Sequence, residues 1–112
     1  MKLEKIIKLG IIIETKEFEK LWNAMQFAVT SKKAGHDVKV FLMGEAVEIG
    51  SLDYPKYNVA EQVRIFIDIE STILACWTCL KSRNMDGADA CPLLTMVDCL
   101  KMVEWADKVV TF

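Results

Sequence analysis

Apolar residues run along this chain in two alternating rhythms. Residues 6 to 13 form a nearly unbroken β-branched run, interrupted by Lys8 and Gly10. A strand buried on both faces of a parallel sheet reads this way. Thr15 can then cap a helix, and Glu17 and Glu19 favour its positive N-terminal end. Phe18, Leu21, Trp22, Met25, Ala28 and Val29 recur at helical spacing and make one apolar face. Gly35 is placed where a left-handed residue ends such a helix. Residues 38 to 43 predict a second strand, closed by Gly44. Residues 45 to 49 suit one helical turn, and 50 to 57, with Asp53 and Pro55, an irregular loop.

The second half repeats the rhythm. Asn58 followed by Glu61 resembles a capping box. Val59, Val63, Phe66 and Ile67 give the core face of the helix it starts. Ile65 and Ile69 fall off that stripe, a hint of contact with another subunit. Residues 72 to 75 predict a short third strand that runs straight into Cys76-Trp77-Thr78-Cys79. A short helix over 80 to 85 and a turn at Asp86-Gly87 follow. Thr95 with Asp98 can start the last helix, with Met96, Leu100 and Val103 as its core face and Cys99 beside them. Residues 108 to 112 are the final strand.

Four strands separated by helical connections imply right-handed crossovers and a parallel sheet covered on both faces. The expected fold is a three-layer, flavodoxin-like α/β domain spanning residues 1–112, with strand order 2-1-3-4. Sheets of this kind bind ligands beyond the carboxyl ends of their strands, where the order reverses. In that order the reversal falls between strands one and three, and Cys76 ends strand three.

Composition narrows the partners. The chain has 112 residues, 53% of them hydrophobic, and a formal net charge of −2 with acids and bases interspersed. That suits one domain and lacks the basic stripe that nucleic-acid binding needs. No segment reaches the length of a membrane-spanning helix. The first residues mix charges and show no small-residue cleavage site, so a cytoplasmic protein is expected. In a reducing compartment the four cysteines are expected as thiols, metal ligands or redox groups, not as a disulfide framework.

Cys76 and Cys79 form a CxxC at a strand-to-helix junction, a pattern associated with redox, metal or sulfur chemistry. A thiol becomes a good nucleophile when its thiolate is stabilised. The N-terminal amides of the following helix, Lys81 and Arg83 would favour the thiolate of Cys76. The S–H of Cys79 would reach it as well. Cys99 reads as a small core residue and Cys91, before Pro92, fits either role. Three thiolates from Cys76, Cys79 and Cys91 fall short of the four ligands usual in a closed zinc site. Trp22 and Trp105 read as packing residues, Trp77 as a wall of the cysteine pocket, and His36 as a surface residue beside a helix cap. No phosphate-binding glycine loop follows strand one, which counts against FMN or a dinucleotide.

The stretch Ile73-Leu74-Ala75-Cys76-Trp77-Thr78-Cys79-Leu80-Lys81-Ser82-Arg83 resembles the DsrE/DsrF-like sulfur-relay family, whose close relatives read I-L-A-C-G-T-C-L-K there. The likeness extends to Phe41-Leu42-Met43-Gly44-Glu45-Ala46-Val47 and to Asp107-Lys108-Val109-Val110-Thr111-Phe112. It implies a flavodoxin-like fold, assembly into trimers or hexamers, and no organic cofactor. It also implies a persulfide on Cys76 that is handed from a donor protein to an acceptor. Cys79 matches a second cysteine found only in the CxxC-bearing branch. Trp77 stands where relatives have glycine, and so does Asn84, a residue that tolerates left-handed backbone. A CxxC redox pair and a non-enzymatic module with structural or metal-binding cysteines are the alternative readings.

Overall fold

The computed structural model describes residues 5–51, 56–76 and 93–112. In chain order these form β1 (Lys8–Ile13), α1 (Phe18–Lys33), β2 (Asp37–Leu42), a 3₁₀ segment (Gly44–Ser51), α2 (Val59–Asp68), β3 (Thr72–Cys76), β4 (Leu93–Leu94), α3 (Met96–Trp105) and β5 (Lys108–Thr111). All strand pairs are parallel, in the order β4-β3-β2-β1-β5. The three-layer parallel α/β architecture expected from the sequence is present.

The order of strands is a correction. Counting only the four expected strands, with β5 as the fourth, it is 3-2-1-4 and not 2-1-3-4. Two crossovers that step the same way across a sheet place their helices on the same face. In keeping with this, α1 and α2 pack against each other. The rings of Trp22 and Tyr57 lie 5.8 Å apart, and the Tyr57 hydroxyl donates to Glu19 Oε2 at 2.8 Å. The two-residue β4 extends the sheet beyond β3. A pair of leucines is too short a run to announce a strand.

Burial follows the pleat. Leu9, Ile11 and Ile13, Val38, Val40 and Leu42, and Ile73 and Ala75 form the core beneath α1 and α2. Phe41, fully buried, points the other way and packs with Cys99 and Met102 of α3, flanked by Ile12, Leu74 and Trp105. Apolar side chains in both phases make β2 an interior strand.

Helix ends carry further corrections. The N-cap of α1 is Glu17, whose carboxylate accepts from Glu19 N at 3.2 Å and Lys20 N at 2.9 Å. Thr15 acts one step earlier and accepts from Glu17 N. Gly35, with φ of 105°, is the left-handed residue that ends this helix. Asn58 caps α2 through Oδ1 to Glu61 N, as expected. Ile65, Ile67 and Ile69, one of them on the expected stripe, are all half-buried against the core under α1 and α2. On α3 the expected core face is out of phase. Cys99 and Met102 are buried, while Met96, Leu100 and Val103 are exposed, Leu100 by 57%.

Candidate functional site

β3 is held on both faces, Ile73 and Ala75 by one core and Leu74 by the other. This fixes the position of its last residue, Cys76. On one side Ala75 pairs with Leu42 of β2, and on the other Cys76 pairs with Leu94 of β4. Cys76 therefore lies at the carboxyl edge of the sheet, inside a continuous ladder. The expected partners Trp77, Thr78, Cys79, Lys81, Arg83 and Cys91 lie outside the described residues, as does the short helix expected over 80–85.

The expected coincidence with the topological switch is corrected. The direction of strand succession reverses between β1 and β5, whereas Cys76 ends β3, beyond β2. What stands beside Cys76 instead is the start of α3. Leu94 is its ladder partner, and the next residue, Thr95, is the N-cap of that helix. Asp98 occupies this helix end. Its Oδ2 accepts from Thr95 N at 2.9 Å and from the Thr95 hydroxyl at 3.0 Å. The hydrogen bond from the Thr95 backbone, followed by that from its hydroxyl, holds the Asp98 carboxyl below the usual value. The Thr95–Asp98 pair was legible as a cap; its place next to Cys76 was not, because it depends on the two-residue β4.

Other groups at this edge are mostly acidic. The side chain of Glu14 lies over Gly44, where a β-carbon would stand 3.0 Å from Glu14 Cγ. Lys16 forms an ion pair with Glu48 at 3.7 Å. Among the described residues, no three His, Cys, Asp or Glu side chains are grouped to hold a metal ion.

The remaining candidates are structural. Cys99, expected as a core residue, is one, at 7% exposure. His36 is half-buried, not a surface residue: its Nδ1 accepts from Ile7 N at 3.0 Å, which ties the chain entering β1 to the start of β2. Trp105 stacks beneath the Lys39 ammonium, 4.3 Å from the ring centroid.

The DsrE/DsrF-like family matches residues 8–112, which takes in every element described above. The chain belongs to this family. It is 26% identical over 114 residues to the uncharacterized protein MJ0989 of Methanocaldococcus jannaschii, covering 95% of this chain and all of that one. It is 29% identical over 100 residues to the uncharacterized protein MK0008 of Methanopyrus kandleri, covering 84% of this chain and 83% of the relative. The crystal structure of the YchN protein from E. coli superposes with a TM-score of 0.81 at 25% identity, over 94% of this chain and 98% of that chain. The family and the flavodoxin-like fold implied by the cysteine-loop resemblance are thereby established. Among the described residues no helix is long and apolar enough to cross a membrane.

Proposed function

We propose that this chain is a cytoplasmic sulfur carrier that takes up sulfur as a persulfide on Cys76 and passes it to a partner protein. The observation that carries this reading is a DsrE/DsrF-like chain with a cysteine as the last residue of β3, at the carboxyl edge of the sheet. Loading is a thiol exchange. The Cys76 thiolate attacks the outer sulfur of a donor persulfide, R–S–SH, and the donor leaves as the thiolate R–S⁻. Delivery is the same step in the other direction, to an acceptor thiolate. Release by Cys79 is the second exit: its thiolate attacks Cys76 Sγ, HS⁻ departs, and a Cys76–Cys79 disulfide remains to be reduced. In this reading Lys81 and Arg83 favour the thiolates, and Trp77, Thr78 and Cys91 shape the loop around them. The chain works as a homo-oligomer with no organic cofactor.

The test is intact-mass spectrometry after incubation with a persulfide donor. One added sulfur on the wild-type chain, lost in Cys76→Ser, is the expected result. An adduct that persists in Cys76→Ser, or none with any donor, refutes the proposal. Cys79→Ser separates the two exits: it should retain the persulfide but release no sulfide.

A further inference from the structure

At the amino edge of the sheet, the end away from Cys76, a cleft of about 260 Å³ opens between the ends of the helices. Lys32 comes to it from the last turn of α1, Glu70 from just beyond α2 and Trp105 from the last residue of α3. Asp37, Lys39 and Thr72 come from the starts of β2 and β3. Thr72 and Cys76 are the two ends of β3, about 13 Å apart along an extended strand. The cleft and the cysteine are therefore separate places. Pockets for drug-sized molecules span roughly 300–1,000 Å³. This one suits a molecule of a few heavy atoms.

Its charges are balanced and unspent. Lys32 and Lys39 bring two positive charges, and Asp37 and Glu70 two negative ones. Among the described residues none of the four forms an ion pair. Lys39, the register neighbour of Thr72, is held over the Trp105 ring instead. Glu70 stands out further. Its N–H donates to Ile67 O at 3.0 Å, and that of Ser71 donates to Phe66 O at 3.3 Å, so Glu70 is the residue that closes α2 in a Schellman turn. It does so at φ of 60°, a left-handed conformation that glycine adopts freely and a β-carbon opposes. α1 meets the same demand with Gly35. At the end of α2 the chain carries a carboxylate in place of the easier residue, and that carboxylate lines the cleft.

We propose that this cleft binds a small zwitterion of the α-amino acid class. An anion alone would be repelled by Asp37 and Glu70, and a cation alone by Lys32 and Lys39. A ligand with one charge of each sign satisfies both sets. Its carboxylate takes the Lys32 ammonium and the Thr72 hydroxyl as donors, and its ammonium donates to the carboxylates of Glu70 and Asp37. The negative C-terminal ends of α1 and α2 add to the pull on the ammonium. Lys39 stays on Trp105, whose ring offers apolar surface to a short side chain. The site stands apart from sulfur transfer and does not depend on it.

The test is a titration of the full, isotope-labelled chain with L-alanine, followed by its amide and indole resonances in nuclear magnetic resonance. Alanine should shift the amides of Lys39, Glu70 and Thr72 and the Trp105 indole in a saturable way. Ethylamine and propionate, each alanine without one of its charges, should bind about tenfold more weakly or worse. Glu70→Gly separates ligand binding from folding. It should lose alanine affinity by about tenfold or more, while its urea midpoint holds or rises, because glycine relieves the left-handed backbone. Lys32→Gln should weaken alanine as well. The absence of any saturable shift with alanine overturns the proposal. So does ethylamine or propionate binding as tightly as alanine, which would make this a site for a single charge. A Glu70→Gly chain that binds alanine unchanged, or that is less stable than wild type, overturns it too, since Glu70 would then serve only the surface or the fold.

Discussion

Gly10 lies beneath Met102: a β-carbon at Gly10 would stand 3.3 Å from the Met102 Cε methyl and 3.3 Å from the Ala106 β-carbon. The gap in the β-branched run of β1 is thus the space into which α3 settles. Larger side chains there collide with a helix that is also anchored by Cys99 next to Phe41. Gly10→Val should destabilise the fold by about 1–3 kcal/mol, as overpacking does. Chemical denaturation measures it. A loss below about 0.5 kcal/mol would mean that α3 does not approach the sheet this closely.

The phase of α3 is the second expectation to test. Its residues are apolar on nearly every side, so periodicity alone fits two faces. Met102→Ser should cost about 2 kcal/mol or more, because it removes buried hydrocarbon and adds a polar group. Val97→Ser, on the exposed side, should cost about 0.5 kcal/mol or less. Equal losses would favour the other phase.

This ambiguity shows where sequence reading ends. β1 and β2 were legible because a parallel strand covered on both faces has no polar phase, and Phe41 between Val40 and Leu42 carries that signal. Strand order was not, because no local pattern records which way a crossover steps. The signal was there in weaker form: a strand with buried residues in both phases belongs inside the sheet, which argues against β2 at an edge. The Cys76 position was legible from the end of the short run Thr72-Ile73-Leu74-Ala75, which leads straight into it. Its neighbour Thr95 was not, since the link runs through Leu93–Leu94, a strand too short to recognise.

Asp98 makes the start of α3 sensitive to acid. Its pKa is lower in the folded chain than in the unfolded one, first through the Thr95 backbone hydrogen bond and then through the Thr95 hydroxyl. A depressed carboxylate stabilises the fold above its unfolded pKa, about 3.9, and that stabilisation is lost as pH falls through the folded value. Wild type should therefore be more stable than Asp98→Asn at neutral pH, and the difference should close below about pH 4. Unfolding curves across that range decide it. A difference that stays constant into acid would contradict a role for the charge.

His36 offers an acceptor, and the choice of replacement should matter more than its size. Ile7 N–H donates to Nδ1 at 3.0 Å. His36→Leu leaves this partly buried donor unpaired and should cost about 1 kcal/mol or somewhat more. His36→Asn places an amide oxygen near the Nδ1 position and should recover most of that loss. Thermal unfolding of the two variants gives the comparison. If they lose equally, ring packing and not the hydrogen bond is what His36 supplies.

Cys99 should be the protected thiol of this chain. It lies at 7% exposure with Phe41 and Met102 around it. A reagent reaches such a sulfur only when α3 lifts from the sheet, so its rate is the unfolded-state rate multiplied by the open fraction. For a domain of ordinary stability that fraction is on the order of one in a thousand or less. Iodoacetamide should therefore label the Cys99 peptide about a thousandfold more slowly in native protein than in urea. Persulfide donors should leave it unmodified, and Cys99→Ala should not change how much sulfur the native chain accepts. Labelling of Cys99 at equal rates in both states would place α3 away from the sheet and undo its packing against Phe41.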